Sequence, residues 1–132
     1  MLFRSHAAIR EVDLADGSVL PSVLTRLKVD NLLVTLGADG MVLVTKDGAS
    51  IHIPSIAQQI YDVSGAGDTV TAWTGAALAG GASVREAAQL ANYAAGVEVG
   101  KHGVATVSPE EVLAMHEERF DQIGKLRRGG LI

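Results

Sequence analysis

Residues Asp62 to Thr69 read DVSGAGDT, three small residues flanked on each side by a carboxylate. Gly65, Ala66 and Gly67 form a turn that brings backbone N–H groups close to an anion, and Asp68 falls in the first turn of the helix that follows. There the free N–H groups and the positive end of the helix dipole favour a phosphate or a developing negative charge. A carboxylate beside such a cradle is what phosphoryl transfer to a hydroxyl needs. One group accepts the alcohol proton while the amides hold the moving charge. The bland alternative is a tight strand-to-helix connection and nothing more. An acid on each side of the glycines, in an independently expected strand-turn-helix context, favours the chemical reading. Asp68 could also serve only as a helix-start carboxylate, favourable by ~0.3–1 kcal/mol, and Asp62 could equally cap the turn.

The elements that must position this motif are legible from spacing. Val23, Leu24 and Leu27 recur at helical intervals and predict a short helix over 18–28, with Pro21 or Ser22 near its start. Leu32, Leu33, Val34 and Leu36 make a nearly continuous apolar run, the pattern of a strand buried on both faces. After a turn at 37–40, residues 41–45 read as a second strand. LysAspGly at 46–48 signals a hairpin into a third strand, SIHIP. Residues 60–63 predict a short strand leading into the glycine turn, and AspGly at 16–17 predicts an earlier turn.

Behind Asp68 the chain reads as helical. An Ala-rich stretch from Thr69 to about Leu78 stops at Gly80-Gly81. SVRE (83–86) and SPEE (108–111) are capping boxes that open helices to about Val99 and about Phe120. The tail GKLRRGGLI, with Lys125, Arg127 and Arg128, reads as frayed or solvated. Strands in front and helices behind give an α/β class, with the motif at the carboxyl end of a strand, where open α/β sheets bind ligands.

The bulk numbers exclude several other functions. With 132 residues, 48% of them hydrophobic, the chain reads as one globular domain with a real core. A net charge of −4 with scattered cations gives no basic stripe for nucleic acid, and 4% aromatics supply few stacking platforms. There is no cysteine, which excludes disulfides, a catalytic thiol and Cys-ligated zinc and suits a reducing cytoplasm. His6, His52, His102 and His116 lack metal-ligand spacing and read as structural or solvated, and Trp73 reads as core. MLFRSHAAIR lacks a signal-peptide core, and no run reaches the ~18 apolar residues of a membrane span. The expectation is a soluble cytoplasmic protein with no membrane partner.

Taken together, VTLGADGMVLV (34–44), DVSGAGDT (62–69), the Ala-rich helix pair and KHGVATVSP (101–109) resemble the C-terminal half of the ribokinase-like, or PfkB, carbohydrate kinases. IPSIAQQIYDVSGAGDT, LANYAAGVEVGKHG and TVSP look most like the heptose 7-phosphate kinase domain of the ADP-heptose synthesis enzyme. The resemblance spans about residues 20 to 115.

It implies the C-terminal portion of a three-layer α/β/α fold, ATP and magnesium as cofactors, and a sugar phosphate as substrate. On the matching positions it implies that Asp68 is the catalytic base and that Gly65, Ala66 and Gly67 form the anion hole. Thr35, Gly37 and Gly40 would lie along the ATP phosphates and ribose, and Asn92 on the helix lining the adenine pocket. Asp62, with oxygens from Ser64 and the 101–108 loop, would hold a monovalent cation such as K+. Without the resemblance, Thr35 reads as a satisfied core hydroxyl and Asn92 as a surface or packing residue.

Members of that family are longer, and only 61 residues precede the glycine motif here. The chain thus looks like the nucleotide-binding half of a kinase, a single partial domain over 1–132. Its open sheet edge and uncovered helix faces would pair with the N-terminal half or with another copy in a homo-oligomer. A nucleotide-binding module without catalysis, a structural remnant, and a kinase with another sugar or nucleoside acceptor stand as rival readings.

Overall fold

The computed structural model describes residues 19–57 and 59–130. The 16–17 turn, His6 and the N-terminal decapeptide lie outside them. The chain divides into two compact units, one ending at Pro54 and one beginning at Ser55.

In the first unit, helix α1 (Leu20–Leu27) carries Pro21 in its opening turn, where a missing N–H leaves no bond unmade. Lys28 ends it in the left-handed conformation, its N–H donating to Thr25 O at 3.2 Å. Strands β1 (Asn31–Thr35), β2 (Met41–Thr45) and β3 (Ser50–Ile53) form an antiparallel sheet with β2 in the centre. Thr35 pairs with Met41 and Val42 with His52. Alternation along β2 puts Val42 and Val44 on one face, where Leu20 and Leu24 of α1 join them in a buried cluster flanked by Leu32, Val34 and Leu36. Met41 to Val44 are all buried, as their uninterrupted apolar run requires. The same burial expected of β1 is not observed. With β2 as its one partner among the described strands, β1 is half-exposed and Thr35 is exposed.

The second unit is built from α2 (Ala66–Ala79), α3 (Val84–Val99) and α4 (Pro109–Arg128). Ala87, Ala88, Ala91 and Ala94 of α3 are completely buried, and side chains this small let the neighbouring helix backbones approach. At Gly96 the approach is closest: a Cβ there would stand 3.0 Å from Ile56 Cγ1 and 3.2 Å from Met115 Sδ. Trp73, expected in the core, is half-buried instead. It lines an apolar groove of about 770 Å³ with Leu90, Tyr93, Val112 and His116.

Both capping boxes form as the sequence implies. Ser83 and Ser108 each accept the N–H of the glutamate three residues on, and Glu86 and Glu111 each accept the serine N–H at 2.8 Å. Lys101 adds a 2.6 Å ion pair to Glu111.

Three boundaries differ from expectation. No strand forms at 60–63: the Tyr61 and Asp62 N–H groups both turn to Val99 O, at the carbonyl end of α3. Helix α2 begins at Ala66, so two of the three turn residues are helical. Helix α4 runs on to Arg128. Its last turn carries Lys125, Arg127 and Arg128, which the negative end of the helix dipole favours, and Lys125 pairs with Asp121 one turn back.

Both capping-box acids titrate below the ordinary glutamate range. For Glu86 the main cause is the Ser83 hydroxyl, then its N–H; for Glu111 it is Lys101, then the Ser108 N–H. A carboxyl whose folded pKa lies below its unfolded value of about 4.3 stabilises the fold above that value. The stabilisation is lost as pH falls through the folded pKa. The urea midpoint of the helical unit is therefore expected to drop between about pH 5 and pH 3. A Glu86→Gln/Glu111→Gln double variant should show a shallower drop, and an unchanged slope would mean these caps do not govern acid stability.

Candidate active site

Gly65 is the N-cap of α2 and sits at φ +88°, a left-handed conformation that an L side chain rarely adopts. A Cβ here would also meet Glu98 Oε1 at 3.1 Å and Val104 Cγ1 at 3.4 Å. Glycine is thus required twice at one position, by backbone angle and by space. The turn before it is fixed by Asp62, whose Oδ1 accepts the Ser64 N–H at 2.8 Å. That bond, then the Ser64 hydroxyl, and less strongly the Gly103 N–H and His102, hold the Asp62 carboxyl below the usual range. Asp62 therefore closes the 62–64 turn as a hydrogen-bonded carboxyl.

Past the cap, the Ala66 N–H donates to Val63 O at 3.3 Å and the Thr69 N–H to Gly65 O at 2.9 Å. The N–H groups of Gly65, Gly67 and Asp68 have no acceptor among the described residues. Gly67 and Asp68 are exposed, and the Asp68 carboxylate makes no hydrogen bond among those residues. Asp68 occupies the third helical position, as Glu86 and Glu111 do in the other two helices of this unit, yet it does not fold back onto its cap. The helix mouth offers unsatisfied donors with an unengaged acid at their side. That combination attracts an anion and leaves a base free to take a proton.

The residues singled out from sequence fall in both units. Asp62, Ser64, Gly65, Ala66, Gly67 and Asp68 are gathered around the start of α2 in the second. Asn92 lies in that unit too, on α3, and is only 6% exposed, so it is neither a surface residue nor solvated. In the first unit, Thr35 ends β1, and Gly37 to Asp39 form a single 3-10 turn closed by Gly40, whose C=O accepts the Leu36 N–H at 2.8 Å. Thr35 is not the buried core hydroxyl of the bland reading. Among the described residues no group of three or more His, Asp or Glu side chains could hold a metal.

One residue escaped sequence reasoning. Glu98 is completely buried near the end of α3, with both carboxylate oxygens unpartnered. Its signal was its phase: Ala87, Ala91, Ala94 and Glu98 follow helical spacing along the buried face.

The pfkB family carbohydrate kinase model matches residues 11–111, and the chain belongs to that family. Among curated relatives, the bifunctional protein HldE of Rhodospirillum rubrum is 50% identical over 97 residues, covering 73% of this chain and 20% of that protein. HldE of Paramagnetospirillum magneticum is 54% identical over 88 residues, covering 66% and 18%. Ribokinase from Thermotoga maritima superposes with a TM-score of 0.69 at 29% identity, covering 74% of this chain and 33% of that one. Arabidopsis thaliana ribokinase, solved with ribose and ATP, gives 0.68 at 32% identity, covering 74% and 32%. The fold is therefore α/β and ribokinase-like. The chain spans about a fifth of the length of the curated relatives it matches and about a third of the solved kinases. No helix of the described residues is long and apolar enough to cross a membrane.

Replacing Gly65 by alanine should destabilise the helical unit by about 1–2 kcal/mol, from the left-handed backbone alone. Chemical denaturation measures this, and a variant as stable as the parent would remove the strained cap from the account.

Proposed function

We propose that this chain supplies the nucleotide-handling part of a kinase that moves the γ-phosphoryl of Mg-ATP in line onto a sugar hydroxyl. In this reading Asp68 takes the hydroxyl proton, a step that typically contributes ~100- to 10,000-fold. The free amides of Gly65 and Gly67, with Ala66 between them, meet the charge on the transferring group. One lost preorganised donor in comparable oxyanion sites costs about 3–4 kcal/mol. On the family's pattern, Thr35, Gly37 and Gly40 would serve the ATP phosphates and ribose, and Asn92 the adenine. Magnesium would be held mainly by phosphates and water, as suits an ion that dehydrates reluctantly. Asp62 and Ser64 contribute to a monovalent-cation site.

The observation that carries the proposal is the start of α2: three N–H groups without acceptors beside an acid that declines its own cap. Family membership supports the reaction class, and the HldE relatives support heptose 7-phosphate as acceptor. An ATP-dependent reaction of this kind belongs in the cytoplasm. The remaining sugar contacts come from residues outside this chain, or from another copy. The exposed Ala72, Gly75, Ala76 and Leu78 of α2 suit such a covering partner. That the chain spans so little of its relatives also favours a second reading, a nucleotide-binding module without catalysis of its own.

Asp68→Asn, made in a protein that carries this chain together with the rest of the kinase, should lower turnover at least ~100-fold with ADP affinity nearly unchanged. Steady-state kinetics and calorimetry measure both. Retention of more than about a tenth of the parent rate would remove Asp68 from the base role.

A further inference from the structure

Helix α4 carries an apolar stripe that its own unit does not cover. Leu113, His116 and Phe120 recur at helical spacing, and Leu113 and Phe120 are 57% and 62% exposed. Leu113 and His116 form one wall of the apolar groove, facing Leu90 and Tyr93 of α3 and Trp73 of α2. Phe120 continues that wall. The rings of Tyr93, His116 and Phe120 stand in series, with centroids 5.1 and 4.7 Å apart, so the exposed phenyl ring is braced from behind. The chain has one Trp, two Tyr and two Phe, and Trp73, Tyr93 and Phe120 all gather on this face. Such side chains anchor protein interfaces.

The charges along α4 say what fits there. Its first half carries Glu110, Glu111, Glu117 and Glu118 and no Lys or Arg. Its second half carries Arg119, Lys125, Arg127 and Arg128, with Asp121 as the single acid. The helix dipole accounts for charges in the first and last turns but not for Glu117 and Glu118 in the middle. Pairing within the chain engages Glu111 with Lys101 and Asp121 with Lys125. Among the described residues Glu117, Glu118, Arg127 and Arg128 make no ion pair. A helix with one acidic and one basic half attracts a copy of itself that runs antiparallel and repels one that runs parallel.

We infer that this face is a self-association surface, on which α4 of a second copy of the chain lies antiparallel along the groove. Leu113 and Phe120 of each copy enter the apolar wall of the other, a helix-in-groove contact. Two-fold symmetry makes every contact twice, so one helix face serves as both surface and partner. The apolar stripe supplies the burial, and the charged halves set the direction. The inference does not rest on reading the α2 turn as a phosphate site, and its residues are not those of the exposed α2 surface.

The test is sedimentation equilibrium of the 132-residue protein, with circular dichroism checking that each variant keeps the parent's helix content. The parent should dimerise, with a dissociation constant that rises with salt. Phe120→Ser should raise that constant at least ~10-fold. Glu117→Lys/Glu118→Lys reverses the acidic half and Arg127→Glu/Arg128→Glu the basic half. Each alone should also raise it at least ~10-fold, whereas an equimolar mixture of the two should form a heterodimer near parent affinity. A monomeric parent would overturn the inference and leave the groove to another segment or partner. So would dimerisation that all three variants retain, which places the contact on another surface. A mixture no tighter than its components would overturn the antiparallel pairing.

Discussion

A helix starts with amide hydrogens that have no carbonyl to receive them, and proteins usually close that gap with a side chain. Two of the three helices of the second unit do so, with a serine at the cap and a glutamate three residues on, each bonding the other's backbone. The third has glycine at the cap and aspartate at the equivalent position, and neither closes the gap. Glycine has no side chain to offer, and aspartate is one methylene shorter than the glutamates that fold back. The donors that α3 and α4 satisfy with side chains stay open here. Everything proposed about phosphate and proton transfer depends on that local omission.

Keeping the mouth open requires a backbone held in an unfavourable place. Gly65 sits at positive φ, and the segment before it is pinned from two directions: Asp62 to Ser64, and Tyr61 and Asp62 to Val99. Those anchors reach the end of α3, and α3 is held by alanines packed without exposure and by the close contact at Gly96. The Lys101–Glu111 pair and the Ser108 cap bind the following loop to α4. The small-residue core of the helical unit is thus what gives the turn its rigidity. A preorganised donor set is effective only when it need not reorganise as charge arrives.

Much of this was legible in the chain itself. Capping boxes are local signatures, so the starts of α3 and α4 were fixed by four residues each. The hairpin at 46–48 and the buried run 41–44 followed from turn chemistry and apolar continuity. The β1 face was misjudged because burial depends on neighbours: the apolar run is real, but an edge strand leaves it half-exposed. Residues 60–63 have strand-like composition, yet their N–H groups bond a helix end instead of a strand, a choice made by tertiary structure. The helix start within the motif was placed late, since Ala66 and Gly67 are helical. Glu98 went unnoticed because a lone acid on a helix ordinarily reads as solvent-facing, and only the alanine phase marks its position as interior.

The most direct measurement is a nuclear magnetic resonance titration of the isotope-labelled chain with ADP. The account predicts that the backbone amide signals of Gly65, Gly67 and Asp68 move together and saturate at one dissociation constant, while the capped amides of Glu86 and Glu111 stay fixed. If ADP leaves those three signals unmoved, or shifts the capped helix starts equally, the open helix mouth is not a phosphate site.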